Sequence, residues 1–208
     1  MKFLLLSLLF FGCSTHPLEK KHVFFLHNKY LQLFPLGTSH PQYGQVEYRE
    51  IVSAFEDEGF VVISEIRAKD TDGDIYAKRV TGQVDSLLKI GVQPQHITVV
   101  GTSMGGYIAK NVSSTLANEH INFVLIGCCS DEDVKDNPNI ALCGNILSIY
   151  ESTDSLGQSC EVQKQYSKKP IPHYKEIKLN TGLKHGFLYK ALPDWIQPSA
   201  RWAKGNYK

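Results

Sequence analysis

The sequence predicts a three-layer α/β fold, in which a mostly parallel sheet of about six strands lies between helices on both faces. Short apolar runs rich in valine, isoleucine and phenylalanine alternate with longer segments whose apolar residues recur at helical spacing. Gly59 and Gly91 directly follow two of these helical segments and are typical helix ends. The chain has 208 residues, of which 42% are hydrophobic and 21% charged, so a single globular domain is expected.

The elements follow one another in a regular order. Strands are expected at residues 23–26, 60–64, 97–100, 122–126, 145–150 and 174–179, and helices at residues 45–58, 75–90 and from 106 onward. A last helix over residues 187–203 should be broken near Pro193 or Pro198, because proline lacks the amide proton that a helix interior needs. Residues 29–45 show no clear period, so we expect a loop there, either facing a site or only connecting two elements.

The sequence Gly-Thr-Ser-Met-Gly at residues 101–105 stands between a predicted strand and a predicted helix. A serine in this context is typical of a nucleophile elbow, where a sharp turn holds the hydroxyl out at the edge of the sheet. Gly101 and Gly105 are needed because side chains there would clash within the turn. The alternative is a glycine-rich turn whose serine only caps the helix.

A serine hydroxyl needs a base to take its proton, and the base needs an acid to orient it. Asp154 and His185 each lie just past the end of a predicted strand, as Ser103 does. In a parallel sheet these strand ends share one edge, where such sheets place their sites. Asp131 and Asp133 follow the preceding strand and are rival candidates for the acid.

Residues 101–105, Asp154, the segment at residues 184–187 and the strand at 23–26 followed by His27-Asn28 together resemble the α/β-hydrolase family. The resemblance is to its small, lidless members similar to dienelactone hydrolase, and it spans roughly residues 21–207. Two opening strands of the family's sheet are missing from the pattern. The resemblance favours Asp154 over its rivals and implies a serine hydrolase that cleaves an ester, thioester or related acyl bond of a small-molecule or acyl substrate.

The resemblance also implies an oxyanion hole. One donor should be the N–H of Met104, directly after Ser103, and the second the N–H of Lys29, after His27-Asn28, with that of Tyr30 as the alternative. The family usually has His-Gly at that position. We expect Asn28 to replace the glycine because asparagine tolerates left-handed backbone better than most residues.

The amino terminus predicts export. Met1-Lys2 precedes the apolar residues 3–11 and then Gly12-Cys13, which together are typical of a secretory signal. Gly12-Cys13 resembles a bacterial lipobox, which implies that Cys13 is lipidated and anchors the protein in the cell envelope. An ordinary signal cleaved near Thr15 or His16 is the alternative. We therefore expect a leader and linker at residues 1–20 and one domain at residues 21–208.

The cysteines fit an oxidising compartment. Four of the five remain when Cys13 is set aside, an even number that favours one or two disulfides. Cys160 should lie at the same sheet edge as Cys128 and Cys129, whereas Cys143 precedes its strand at the opposite edge. Because a disulfide requires Cα atoms within about 7 Å, Cys160 should pair with Cys128 or Cys129. Four free thiols are the alternative.

Composition argues against several classes of function. The net charge is +1 and no long run of lysine or arginine exists, so nucleic-acid binding is not expected. No His-x-x-x-His or Cys-x-x-Cys spacing occurs, so neither a metal nor a cofactor is expected. Two hypotheses remain: an exported serine hydrolase, and a non-catalytic envelope binding protein that keeps the fold. Nothing in the sequence decides the oligomeric state.

Overall fold

The computed structural model describes residues 20–208. Its strands are β1 (His22–Leu26), β2 (Ser39–His40), β3 (Gly44–Gln45), β4 (Val61–Ile63), β5 (Ile97–Thr102), β6 (Asn122–Ile126), β7 (Asn145–Glu151) and β8 (Tyr174–Leu179). Its helices are α1 (Lys29–Leu33), α2 (Tyr48–Asp57), α3 (Gly73–Lys89), α4 (Met104–Leu116), α5 (Asp133–Asp136), α6 (Glu161–Tyr166) and α7 (Pro193–Ala203), with 3₁₀ turns at Pro94–His96 and Lys184–Tyr189.

Six of the strands form one parallel sheet in the order β4-β1-β5-β6-β7-β8, which confirms the predicted fold class. Successive side chains of a strand point to opposite faces, so Phe24 and Phe25 lie in different apolar clusters. The Phe25 cluster is closed by α2 and α7, which contribute Phe55 and Trp195. The Phe24 cluster is closed by α3 and α4. Helices therefore cover both faces of the sheet, and the residues that follow the carboxyl ends of the strands lie along one edge of it.

The start and end of α3 follow from local chemistry. Asp72 precedes the helix, and its side chain accepts hydrogen bonds from the N–H groups of Asp74 and Ile75, both at 2.9 Å. Such a cap satisfies amides that have no partner within the helix. Gly91 follows the helix with a φ of 98°, a left-handed conformation that glycine adopts without steric cost.

Two details differ from the sequence-based expectations. Residues 29–45 are not a plain loop: they hold α1 and the two-residue hairpin β2–β3. The last helix, α7, begins at Pro193, so the expected break falls there. Pro198 lies inside α7 and does not interrupt it. Pro198 removes the amide that would bond the carbonyl of Asp194, and Asp194 is exposed, so water can replace that donor.

No helix within residues 20–208 combines the length and apolar character required to cross a membrane.

Candidate active site

Ser103 occupies a turn that only a tightly packed backbone can form. It stands between β5 and α4 with φ 50° and ψ −115°, a conformation that costs a non-glycine residue about 1–3 kcal/mol. A Cβ on Gly101 would lie 2.2 Å from the carbonyl oxygen of Gly105, and a Cβ on Gly105 would lie 1.9 Å from the carbonyl oxygen of Leu26. Backbone contacts therefore leave no room for a side chain at either glycine.

A third glycine, Gly106, is also closely packed, here against a side chain, although the motif did not single it out. A Cβ there would lie 2.4 Å from both Cβ and Sγ of Cys128, at the end of β6. The first turn of α4 is thus pressed against β1 on one side and against the residues after β6 on the other.

The structure brings Ser103, His185 and Asp154 together in a hydrogen-bonded chain. Nε2 of His185 lies 3.0 Å from Oγ of Ser103, and Nδ1 of His185 lies 2.7 Å from Oδ2 of Asp154. Ser103 is half-buried, and the side chains of His185 and Asp154 are 10% and 1% exposed. Because a carboxylate accepts only, Nδ1 carries the proton and Nε2 is free to accept the serine proton.

The carboxylate of Asp154 is itself held in place. Its second oxygen, Oδ1, accepts a hydrogen bond of 2.9 Å from the N–H of Leu156, and its own N–H donates to the carbonyl of Glu151 at 3.1 Å. A buried carboxylate with both oxygens bonded has one orientation, so it fixes the ring of His185 in turn.

The rival acids lie elsewhere. Asp133 forms a 2.5 Å ion pair with Nζ of Lys110, a lysine whose side chain is only 2% exposed. Its carboxylate also accepts from the N–H of Ser130 and from Nε2 of Gln163. Asp131 is exposed. Neither is hydrogen-bonded to His185, whose Nδ1 is bonded to Asp154.

The two predicted oxyanion donors occupy matching positions. Lys29 and Met104 are the first residues of α1 and α4, and the first N–H groups of a helix have no acceptor within it. Leu26 pairs with Gly101 in the register of β1 and β5. Gly105 approaches the carbonyls of both Leu26 and His27. The starts of the two helices are therefore adjacent at one sheet edge.

Asn28 acts differently from what the sequence predicted. Its φ is −67°, which is ordinary extended backbone, so no left-handed conformation has to be tolerated. Instead Asn28 caps α1, its Oδ1 accepting a 3.2 Å hydrogen bond from the N–H of Leu31. Asparagine is among the preferred capping residues, which accounts for its presence where the resembled family has glycine.

Two residues beside the site were missed by sequence reasoning. Tyr43, in the turn between β2 and β3, lies with its ring centroid 6.4 Å from that of His185 and packs on Gly186. Arg67 follows β4 and contacts the backbone of His27 and Asn28. The available signals were weak: aromatic residues in an aperiodic segment, and one arginine just after a strand at the active edge.

A disulfide joins Cys129 to Cys160, one of the two pairings that the sequence left open. Their Cα atoms lie 5.2 Å apart, and Cys128 and Cys143 are free thiols. Burial raises the pKa of the Cys128 thiol to about 11. The bridge links the end of β6 to the segment that follows Asp154, and the N–H of Gln158 adds a 2.7 Å hydrogen bond to the carbonyl of Cys129.

One cluster of metal-ligating atom types occurs in the described part of the chain. The sulfurs of Cys128, Cys129 and Cys160 lie within 4.8 Å of one another. Two of them are joined to each other, and a disulfide sulfur is not the thiolate that binds metals. The cluster is therefore a disulfide with a neighbouring thiol.

No protein-family model matches this sequence, and no curated protein matches it. Solved structures do. The chain is similar to carboxyl esterase 2 of the fungus Tuber melanosporum, with 16% identity, 91% of this chain and 80% of the esterase covered, and a TM-score of 0.63. It is similar to an esterase of Pyrobaculum calidifontis, with 18% identity, 91% of this chain and 76% of the esterase covered, and a TM-score of 0.57. It is also similar to dienelactone hydrolase of Anabaena variabilis, with 16% identity, 91% of this chain and 86% of the hydrolase covered, and a TM-score of 0.54.

These likenesses extend over nearly the whole described chain. The comparisons support the resemblance seen in the sequence: the chain has the α/β-hydrolase fold.

Proposed function

We propose that this protein is an exported serine hydrolase that cleaves an ester, thioester or related acyl bond. The observation that carries the proposal is the chain of contacts from Oγ of Ser103 to Nε2 of His185 at 3.0 Å and from Nδ1 of His185 to Asp154 at 2.7 Å. This is the distance and order that activation of a serine by a histidine–carboxylate pair requires.

The reaction follows from these contacts. Oγ of Ser103 attacks the acyl carbon while Nε2 of His185 takes its proton, and Asp154 stabilises the imidazolium that forms. The negative charge that develops on the acyl oxygen is met by the N–H groups of Met104 and Lys29. His185 then returns its proton to the leaving group, and a water molecule repeats the sequence to release the acid from the acyl-enzyme.

The similar structures support acyl-bond hydrolysis in particular. Two are named esterases and one a dienelactone hydrolase, and both names describe cleavage of an ester bond. Since folds host many activities, the substrate class of this protein rests on the triad geometry first and on these names second.

A non-catalytic binding protein is the alternative that the sequence left open. The geometry favours the hydrolase, because a binding protein gains nothing from a buried carboxylate aligned on a histidine or from a serine held at a costly backbone conformation. The backbone conformation of Ser103 is unfavourable for stability alone, and both features are useful for nucleophilic attack.

Covalent labelling tests the proposal directly. A fluorophosphonate probe should react with the native protein at Ser103, as mapped by peptide mass spectrometry, because the probe reacts only with an activated serine. Ser155, exposed on the loop of the acid, is the internal control and should stay unlabelled. Absence of an adduct in folded protein, or an adduct on another serine, would refute the assignment.

Export and anchoring are the second part of the proposal, and they rest on the leader sequence. Cys13 lies outside the described residues. The Cys129–Cys160 disulfide supports an oxidising compartment, because such bonds persist there. With Cys13 lipidated, the native protein should fractionate with membranes, and Cys13→Ala should move it to the soluble fraction. Mass spectrometry that finds an unmodified amino terminus at residue 14, 15 or 16 would leave export without the anchor.

A further inference from the structure

Arg67 is a buried arginine directly behind the predicted oxyanion hole. It is 3% exposed, and its backbone N–H donates to Nε2 of His27 at 2.9 Å. Its Nη2 donates to the carbonyl oxygens of His27 at 2.5 Å and Asn28 at 3.2 Å. Its Nε donates to Oε1 of Gln32 at 3.2 Å. One side chain thus holds both carbonyls of the turn that leads into α1.

The carbonyl of Asn28 belongs to the peptide unit whose N–H is that of Lys29. Nδ1 of His27 lies 2.7 Å from the same carbonyl oxygen. Because Nε2 of His27 accepts from Arg67, the ring proton is on Nδ1 and donates to that oxygen. The Asn28 carbonyl therefore accepts two hydrogen bonds. Donors on the oxygen of a peptide polarise it and strengthen its N–H as a donor.

The guanidinium has no counter-ion among the described residues. None of the ion pairs within residues 20–208 includes Arg67, and its Nη1 is buried without a hydrogen-bond partner. Beside it lie the ring of Tyr76, with its centroid 5.6 Å from Cζ, and neutral His27. Burial lowers the pKa of Arg67 to about 10 and that of His27 to about 3, so at neutral pH Arg67 is charged and His27 is not.

A buried cation without a counter-ion is costly to a folded protein. Its unbalanced charge can, however, interact favourably with a negative charge that forms nearby during the reaction and so lower the activation free energy. The peptide held by Arg67 is the one whose N–H faces the developing oxyanion in the proposed mechanism. The cation therefore lies one peptide unit behind the charge that appears only in the transition state.

We propose that Arg67 is a positioning residue of the oxyanion hole, which fixes and polarises the Asn28–Lys29 peptide and stabilises the oxyanion through it. This inference rests on the proposed hydrolase function. Its direct consequence is that Arg67 acts on the transition state and leaves binding of the ground-state substrate almost unchanged.

The test compares Arg67→Met with Arg79→Met. Arg79 is the matched control, since its guanidinium also lies on the ring of Tyr76, at 5.8 Å, but it is exposed and paired with Glu65. With an activated aryl ester, Arg67→Met should lower kcat by roughly 10²-fold, as removal of one oxyanion donor does, with KM nearly constant. Affinity for an aryl boronic acid, whose adduct with Ser103 is a tetrahedral anion, should fall in parallel. Arg79→Met should change neither.

Two further variants keep the test decisive. Arg67→Lys retains the charge without the planar fork and should recover part of the lost kcat. His27→Phe removes one of the two donors to the Asn28 carbonyl while keeping Arg67, and should lower kcat by a smaller factor at constant KM. It replaces Arg67→Met if that variant does not fold, as judged by circular dichroism.

The failure of this inference is distinct from failure of the hydrolase proposal. If native protein takes no fluorophosphonate at Ser103, the function itself is wrong. If it is labelled normally, but kcat and boronate affinity of Arg67→Met match those of Arg79→Met, the role of Arg67 is wrong and the function stands. A rise in KM with kcat preserved would equally refute it, because that result marks a role in substrate binding or loop structure.

Discussion

Ser103→Ala and His185→Ala should each lower kcat by about 10⁶-fold, because the two residues act as one unit and the loss of either abolishes activation of the nucleophile. Asp154→Asn should cost about 10⁴-fold, since the amide favours the wrong tautomer of the histidine. The measurement is steady-state hydrolysis of an activated ester by each purified variant, with circular dichroism to establish that the fold is kept.

Asp133→Asn is the control for the acid. Asp133 is bonded to Lys110 and not to His185, so the substitution should affect stability and leave kcat within a small factor of the native value. Asp131→Asn, at an exposed position, should be neutral in both respects. Near-native activity of Asp154→Asn combined with loss of activity in either of these variants would transfer the acid role to residues 131–133.

Removal of the Cys129–Cys160 disulfide should lower the free energy of unfolding by about 3–4 kcal/mol, the chain-entropy value for a loop of this length; the two cysteines are 31 residues apart. Activity should fall as well, because the bridge holds the segment after Asp154 against the end of β6. Denaturant unfolding of the double variant Cys129→Ala/Cys160→Ala gives the first quantity, and ester hydrolysis gives the second.

The matched control is Cys128→Ser, which removes the neighbouring free thiol and leaves the bridge intact. Its stability should still drop when a reductant is added, whereas that of the double variant should not respond. Non-reducing peptide mapping provides an independent check. Recovery of Cys160 as a free thiol, or linked to Cys143, would remove the structural basis of the prediction.

Much of the fold was predictable because its signals are local. Five strands of the main sheet are mostly apolar runs with their own boundaries, β8 alternates polar and apolar residues, and a glycine follows both α2 and α3 by two residues. The positions of Ser103, Asp154 and His185 after three such strands were sufficient to place them at one edge, since parallel strands end on the same side. The strand-to-helix context of residues 101–105 predicted in addition that Ser103 lies in a sharp turn at this edge.

The features that escaped prediction have no local signature. A five-residue helix and a two-residue hairpin are too short to show a period, so α1 and β2–β3 were expected to be loop. The selection of Cys129 over Cys128 depends on how residues 157–158 lie on residues 127–129, a contact between distant segments. The partners of Arg67 are His27 and Asn28, between β1 and α1, and Gln32 in α1, which lie 35–40 residues earlier in the chain.

The backbone conformation of Ser103 has a consequence for how this sequence can change over time. At φ 50° and ψ −115° a glycine would be free of the steric cost that serine carries. Selection for stability alone therefore pushes this position toward glycine, and only a requirement for the hydroxyl opposes that drift. In a lineage that no longer needed the hydroxyl, the single substitution Ser103→Gly would therefore remove the nucleophile and at the same time stabilise the fold.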